Sequence, residues 1–221
     1  MSTGVNPKRR YDSQRRREQA DATRQVILAA ARRLFDEGGY AATTMAALAT
    51  EAGVALKTVY LGFETKAGVV RALWDVSLRG ERDLAVANQE WYREVLEAPD
   101  AERALRLNAR NARAVKIRIS AVLQIIRTGA LSDPELDALW RHIQDDFHAN
   151  PRVIVEKVHD SRALRRDLDV AHATDILWTL NHPDVWQLLV HQRGWTPQEW
   201  EAWFGDTSCS QLLEPGPPAS G

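Results

Sequence analysis

The sequence TTMAALATEAGVALKTVYLGFETK, residues 43–66, decides the fold, because it predicts two short helices joined by a tight turn. The first helix has one apolar stripe, formed at helical spacing by Met45, Leu48 and Ala49. Thr43 is the expected N-cap of this helix, since its hydroxyl can accept from a free backbone N–H. Gly53 supplies the positive φ that the turn requires, so the chain can reverse directly after the first helix.

The second predicted helix, from about Leu56 to Gly62, presents an outward face of mixed chemistry. Val59 and Phe63 are four residues apart and are expected to point toward the core. The other face carries a cation, an aromatic hydroxyl and an apolar side chain, in Lys57, Tyr60 and Leu61. This mixture is typical of a helix that lies in the major groove of DNA. The alternative is an ordinary helical hairpin with a solvated face.

An amphipathic helix is predicted ahead of this pair, from near Asp21 to Glu37. Its apolar side chains recur at helical spacing in Ile27, Ala30, Ala31, Leu34 and Phe35. Gly38 and Gly39 are expected to end the helix. Three helices of this length form a unit that needs support from the rest of the chain, because so small a core buries little surface.

From Arg24 to Lys66 the sequence resembles the N-terminal domain of the tetracycline-repressor (TetR) family. The resemblance rests on R-x-x-I-x-x-A-A-x-x-L-F-x-E-x-G-Y, followed by T-T-M-x-x-L-A-x-x-A-G-V and T-V-Y-x-x-F-x-x-K. It implies an all-α fold with an N-terminal three-helix helix-turn-helix DNA-binding domain and a larger helical ligand-binding and dimerisation domain. The expected limits are a basic disordered arm at 1–20, the DNA-binding domain at 21–81 with its motif at 44–63, the second domain at 82–213 and a disordered tail at 214–221.

The resemblance also implies roles for single side chains. Thr44 would bond a phosphate, and Lys66, at the start of the next helix, would meet another where the helix N-terminus favours an anion. Leu61 and Gly62 depart from the common family pattern, since Gly62 has no side chain and Leu61 would instead contact a thymine methyl. The predicted DNA-binding residues are Thr43, Thr44, Lys57, Thr58, Tyr60, Leu61 and Lys66.

Charge is divided unevenly along the 221 residues. Residues 1–70 contain 11 Lys and Arg against 7 Asp and Glu, whereas the remainder contains 18 against 23. A basic front and an acidic back are expected if only the front meets phosphate groups. The Arg-rich arm either follows the DNA backbone or minor groove or serves only as a solubilising tail.

Several classes of protein are disfavoured by what the sequence lacks. The single cysteine, Cys209, allows no intramolecular disulfide. No apolar run approaches the ~18 residues that span a bilayer, and the polar N-terminus is unlike a secretory signal, so we expect a soluble cytoplasmic protein with no membrane partner. Glycine-rich phosphate loops, HExxH, G-x-S-x-G and Cys-x-x-Cys do not occur. We therefore expect no enzyme activity, no cofactor and no metal.

Beyond residue 66 the sequence predicts further helices and no strands. The helix from Thr65 to Leu84 would link the two domains by the resemblance, which makes it the expected lever between them. Capping boxes are predicted at Ser132–Glu135 and Thr196–Glu199, each followed by helix. Pro151 is predicted to open another helix, because proline is favoured in a first helical turn.

All eight tryptophans follow residue 73. Their large rigid rings either line a ligand cavity or simply fill the core. We expect two or three of a set of four to touch a ligand pocket, namely Trp74, Trp91, Trp140 and Trp178. Arg118 is a candidate partner for an acidic ligand, although the cations on its helix are more often a solvated face.

These features predict a homodimeric, ligand-responsive transcription regulator, most simply a repressor, paired by resemblance through its C-terminal helices. Two recognition helices would read successive major grooves of a near-palindromic double-stranded operator, roughly 34–36 Å apart. A small apolar or aromatic effector would release the DNA through differential affinity for two conformations. The alternative is a helical small-molecule-binding module with no regulatory DNA binding.

Overall fold

The computed structural model describes residues 7–79 and 90–215, with side chains for 14–78 and 92–215. Within these ranges the chain forms helices and no β-strand, which confirms the predicted all-α fold class. The helices are α1 (Pro7–Ala42), α2 (Met45–Ala52), α3 (Leu56–Phe63), α4 (Lys66–Arg79), α5 (Glu90–Leu96), α6 (Ala101–Gly129), α7 (Pro134–Asp160), α8 (Val170–Leu180), α9 (Pro183–Trp186), a π-helix (Gln187–Gln192) and α10 (Pro197–Leu212). None of the helices in these ranges combines the length and apolarity that crossing a membrane requires.

The chain divides into two compact units. The first comprises Met1–Asp75 together with Gln124–Asp137, and the second comprises Val76–Leu123 together with Ala138–Gly221. The end of α6 and the beginning of α7 therefore belong to the first unit, although they are distant from it in sequence. A linear reading of the sequence cannot anticipate this grouping.

α1 begins well before the predicted start at Asp21, so residues 7–20 are helical rather than a disordered arm. Pro7 suits a first helical turn, where its missing N–H is not needed, and the Arg-rich segment that follows consists of good helix formers. Gln14 Nε2 also donates to Glu18 Oε1 across one turn, at 3.0 Å. Residues 1–6, and the predicted tail from residue 216 onward, lie outside the described ranges.

The first unit has a closely packed core. In the predicted stripe of α1, Leu34 is half-buried and the other four side chains are buried, and Leu48 and Val59 are inaccessible to solvent. α1 is interrupted at Gly39, with φ of 72°, where the sequence predicted its end. α4 passes so close to the end of α3 that a Cβ at Gly68 would lie 2.1 Å from the carbonyl oxygen of Phe63. Only glycine allows this approach.

The second unit is built around large buried rings. Trp200 and Phe204 of α10 are fully buried, and Trp186 meets Trp200 edge-on with ring centroids 5.1 Å apart. α10 begins with the predicted capping box, in which Thr196 and Glu199 bond each other's backbone N–H groups. The sequence pattern therefore located this helix start correctly.

Two predicted helix starts differ in the structure. Pro151 lies inside α7 instead of opening a new helix. A proline removes one helical hydrogen bond, but α7 continues because apolar side chains are buried on both sides of it, including Ile143 and Val155. α7 itself is capped by Asp133, whose Oδ1 accepts from Glu135 N–H at 2.9 Å, rather than by Ser132.

Candidate functional site

α3 presents one of its faces to solvent. Val59 and Phe63 are buried as predicted, whereas Tyr60 is 48% and Leu61 78% exposed, and Lys57 is also exposed. We call Lys57, Tyr60 and Leu61 the reading face. This short helix exposes a cation, an aromatic hydroxyl and an apolar group. Cationic and hydroxyl groups can hydrogen-bond to base edges, and an apolar group can contact a thymine methyl.

The cap of α2 is Thr44 and not, as predicted, Thr43. Thr44 is the N-cap, and its Oγ1 accepts from Ala47 N–H at 3.1 Å. Thr43, predicted as the cap, is buried and donates to the carbonyl of Gly39 at 2.9 Å. Thr43 therefore closes the end of α1 from inside the protein, because the kink at Gly39 leaves that carbonyl without a helical partner.

Lys66 is bound inside the first unit. Its Nζ donates to the carbonyls of Tyr40 and Thr43 at 2.8 and 2.9 Å and lies 4.1 Å from the centroid of the Tyr40 ring. Burial lowers the pKa of this ammonium, and the charge of Asp133 partly opposes that shift. Lys66 thus caps the C-terminal end of α1, which differs from the predicted phosphate contact.

Arg24, which was not predicted to bind, holds the end of the recognition helix. Its guanidinium donates to the carbonyl of Gly62 at 3.0 Å and lies 4.5 Å from the centroid of the Phe63 ring. The bond fixes the last turn of α3 against α1, so the reading face projects from a rigid support. Its spacing from Ile27, off the apolar stripe, gave no signal of this role.

The end of α6 and the beginning of α7 contact the same region of the first unit. Tyr40 Oη donates to Asp133 Oδ2, and Thr65 Oγ1 donates to Glu135 Oε2 at 3.1 Å. Burial, and then the bond to Asp133, raises the pKa of Tyr40 above its ordinary value. A Cβ at Gly129 would lie 3.0 Å from the Tyr40 ring, so this approach is also tight.

A separate cavity of about 110 Å³ lies within the second unit. Its apolar walls include Val115 and Ile119 from α6 and Phe147 and Ile154 from α7. Polar groups enter it from α6 and from the end of α8 and the residues that follow, namely Asn108, Asn111, Lys116, Trp178, Asn181 and His182. A small apolar cavity with a few convergent polar groups is the usual form of a ligand site.

Lys116 is the charged group of this cavity. The residue is 6% exposed, its Nζ donates to the carbonyl of Asn181 at 2.6 Å, and it lies 5.4 Å from the centroid of the Trp200 ring. Burial lowers its pKa to about 7. Among the described residues no carboxylate forms an ion pair with it, so the ammonium has a donor capacity that the protein does not use.

Two other residues that line the cavity have a polar atom buried without a hydrogen-bond partner in the described chain, Trp178 Nε1 and Asn181 Oδ1. His182 is held next to them, because its Nδ1 accepts from Asp184 N–H at 3.2 Å. Its Nε2 lies 3.1 Å from Gln144 Nε2. Unpaired buried polar atoms are costly, so their presence at a cavity points to a missing partner.

The predicted ligand-binding residues are distributed unevenly around this cavity. Trp178 lines it, whereas Trp140 and Arg118 lie outside its wall. Arg118 is half-buried and its Nε donates to the Ser77 carbonyl at 3.4 Å, whereas Lys116, two positions earlier on α6, lines the cavity. Trp74 is buried in the first unit, and the side chain of Trp91 lies outside the described residues.

A sequence signal for Lys116 exists but is easily overlooked. The inward positions of α6 recur at alternating spacings of four and three residues, and Lys116 occupies one of them in the series Leu105, Ala109, Ala112, Lys116, Ile119, Leu123 and Ile126. A lysine in an apolar stripe is rarely fully buried unless it has a partner. In residues 7–79 and 90–215 no three His, Cys, Asp or Glu side chains converge as metal ligands.

Residues 27–73 match the model of the bacterial regulatory proteins, tetR family. No curated protein matches the chain in sequence. Similar solved structures include a SmeT–triclosan complex (20% identity, 88% of this chain and 93% of that one, TM-score 0.69) and a putative transcriptional regulator from Saccharomonospora viridis in complex with choline (17%, 88% and 100%, TM-score 0.65). A third is NalD, the secondary repressor of the MexAB-OprM multidrug efflux pump in Pseudomonas aeruginosa (20%, 89% and 98%, TM-score 0.65).

At these identities the solved structures show that the fold is shared, over nearly the full length of each chain. The family model shows more, because it covers α2 and α3, the reading face and most of α4. The predicted resemblance to the tetR family of bacterial regulatory proteins is confirmed over residues 27–73.

Proposed function

We propose that this chain is a cytoplasmic, homodimeric repressor that binds a near-palindromic double-stranded operator and releases it when a small effector enters the cavity of the second unit. The single observation that carries the proposal is the exposed reading face on α3, inside a segment that matches the family's N-terminal domain. A family whose members regulate transcription makes an enzyme or a pure ligand-binding module the less favoured alternative.

For DNA, the proposed base-reading side chains are Lys57, Tyr60 and Leu61, because all three are exposed. Thr44 and Thr58 are proposed to bond the adjoining phosphates. Thr44 can do so because its hydroxyl proton remains available while its oxygen caps α2. Thr43 and Lys66 are proposed to act indirectly, by fixing the end of α1 beneath this surface.

For the effector, the proposal is supported by the cavity and by what similar proteins bind. The SmeT structure is a complex with triclosan and the S. viridis structure a complex with choline. The effector proposed here is small and apolar or aromatic in its body, because the walls are apolar and include Phe147 and Trp178.

Coupling between effector and DNA is proposed to run through α6. This one helix contains Lys116 and Ile119 at the cavity and, further along, Gly129 against Tyr40. A Cβ cannot be added at Gly129 without displacing its neighbours. A small movement of this end of α6 would therefore displace the Tyr40 ring. The effector acts only if its affinity differs between the DNA-binding and released conformations.

The test is binding of the full-length chain to DNA from directly upstream of its own gene, measured by fluorescence anisotropy at ~150 mM salt. We expect affinity at least ~1,000-fold above that for shuffled DNA of the same composition, together with a dimeric mass by light scattering. Equal affinity for both DNAs would remove specific reading from the proposal. A monomer that binds small molecules but not DNA would favour the ligand-binding module.

A further inference from the structure

We propose that the cavity of the second unit binds a small organic acid, with its carboxylate on Lys116 and its apolar body between Ile119, Phe147 and Ile154. The inference deepens the proposed function by naming the chemical class of the effector, and it rests on that function only for its consequence at DNA. Binding of the acid itself can be measured with no DNA present.

Lys116 gives the cavity a charge that the described chain does not compensate. The residue is almost completely buried, and its ammonium donates to the Asn181 carbonyl and lies 5.4 Å from the centroid of the Trp200 ring. A buried ammonium is normally paired with a carboxylate, and none pairs with it in the described chain. A ligand carboxylate would supply the negative charge that no described residue provides to Lys116.

Hydrogen-bond donors of the cavity-lining residues suit the oxygens of a carboxylate. A carboxylate has two oxygens, each able to accept more than one hydrogen bond. Two residues that line the cavity have donors that the described chain leaves unpaired, the remaining ammonium protons of Lys116 and the indole N–H of Trp178. Trp178 and Asn181 lie one helical turn apart at the end of α8, so the residue that bonds Lys116 and the residue with the free N–H share one face.

The cavity volume limits the size of the ligand. A cavity of about 110 Å³ is somewhat smaller than the ~150 Å³ cavity known to hold benzene. The ligand body is therefore close to one aromatic ring or a short branched chain. The aromatic rings of Phe147 and Trp178 on the wall suit such a body.

Binding of an acid would also change the protonation of Lys116. Because burial brings the pKa of Lys116 to about 7, the amine is partly neutral near neutral pH when the cavity is empty. An incoming carboxylate favours the charged form, so binding of the anion takes up a fraction of a proton. A cationic ligand would meet the opposite situation and would be repelled by the same ammonium.

The experiment compares single-ring acids with their neutral amides by isothermal titration calorimetry on the full-length protein. The probes are benzoate against benzamide and phenylacetate against phenylacetamide, at pH 6.5 in two buffers of different ionisation enthalpy. We expect at least one acid to bind tenfold or more tightly than its amide, with proton uptake visible as a buffer-dependent enthalpy. Absence of an acid preference in both pairs overturns the proposal.

Substitutions then assign the preference to Lys116. Lys116→Met removes the charge, and Lys116→Gln removes it while keeping a donor for the Asn181 carbonyl. In either variant that retains its helical circular dichroism, the acid-over-amide ratio should fall to about one. Arg103→Met, an exposed position on the same helix, is the matched control and should leave the ratio unchanged. An acid preference that survives in the Lys116 variants overturns the proposal.

The outcomes separate this inference from the proposed function. If the acids bind through Lys116 but do not change operator affinity, the ligand class stands and effector release fails. If the chain binds its operator specifically but shows no acid preference, the regulator stands and the ligand class fails.

Discussion

The two units of this protein hold a lysine ammonium in different surroundings. In the first, the chain is tightly packed at the start of α4, where a Cβ at Gly68 would lie 2.1 Å from a backbone oxygen. In the second, Lys116 lines a cavity of about 110 Å³. Each also holds a lysine ammonium against helix-end carbonyls. Lys66 has two carbonyls and the charge of Asp133 nearby, whereas Lys116 has one carbonyl and no carboxylate in the described chain.

The difference distinguishes a cation that supports the fold from one that we propose binds a ligand. Lys66 uses two of its three N–H groups on the end of α1, so its charge mainly stabilises the fold. Lys116 is more deeply buried but uses one, and Trp178, whose indole N–H is unpaired, lines the same cavity. Burial alone does not mark a ligand site, whereas burial with unused donors at a cavity does.

The largest effect is expected from filling the tight contact of the first unit. Gly68→Ala should lower the free energy of unfolding by about 3 kcal/mol, because its Cβ meets a backbone carbonyl that cannot rotate away. Gly62→Ala is the matched control, since nothing lies within 4 Å of its Cβ position, and it should stabilise or leave α3 unchanged. Urea unfolding measures both, and equal stabilities would refute the tight packing.

Next in size is the loss of the reading face. The double variant Lys57→Ala/Tyr60→Ala should weaken operator binding by about 100-fold, because each side chain contributes about 1–3 kcal/mol if it contacts a base edge. Ligand binding in the second unit should not change. Anisotropy titration gives the first quantity and calorimetry the second. A double variant with wild-type operator affinity would show that α3 is not the reader.

Removing the structural cation should have a smaller effect. Lys66→Met should lower the free energy of unfolding by about 2 kcal/mol, since the carbonyls of Tyr40 and Thr43 lose a charged donor near a helix end. Lys57→Met, a change of the same size at an exposed position, should stay within about 0.5 kcal/mol of wild type. Chemical denaturation of both variants side by side decides whether Lys66 supports the fold.

The effect that is smallest for a single step, here one pH unit, is a pH dependence that belongs to Lys116 alone. Its pKa is about 7 in the folded chain against an ordinary 10.5, so between these values the unfolded chain binds a proton that the folded chain does not. The free energy of unfolding of wild type should therefore rise with pH, relative to Lys116→Met, by about 1 kcal/mol per pH unit from 7 to 10. Urea melts at four pH values test the slope, and parallel stabilities would place the amine in water.

Local patterns predicted the first unit well. The stripe of α1, the turn at Gly53 and the exposed reading face follow from spacings within a few residues of one another, which sequence displays directly. The cap of α2 was assigned to Thr43 instead of Thr44, because either hydroxyl could cap the helix and the kink at Gly39 decides which of them is buried.

The second unit was predicted less well, because its site depends on contacts between distant segments. Arg118 and Lys116 differ by two positions on α6, and whether a cation faces the cavity or the Ser77 carbonyl depends on the register of that helix against α7 and α8. Pro151 was misread for a related reason, since burial on both sides of it outweighs the local cost of a proline.

The proximity of Lys116 to Trp200, with Nζ 5.4 Å from the ring centroid, gives the protein an optical readout that needs no label. An indole beside an amine experiences an electric field when the amine is protonated and loses most of it when the proton leaves. The emission spectrum of the purified wild-type protein, after subtraction of that of Lys116→Met, should therefore report the charge at this one buried nitrogen.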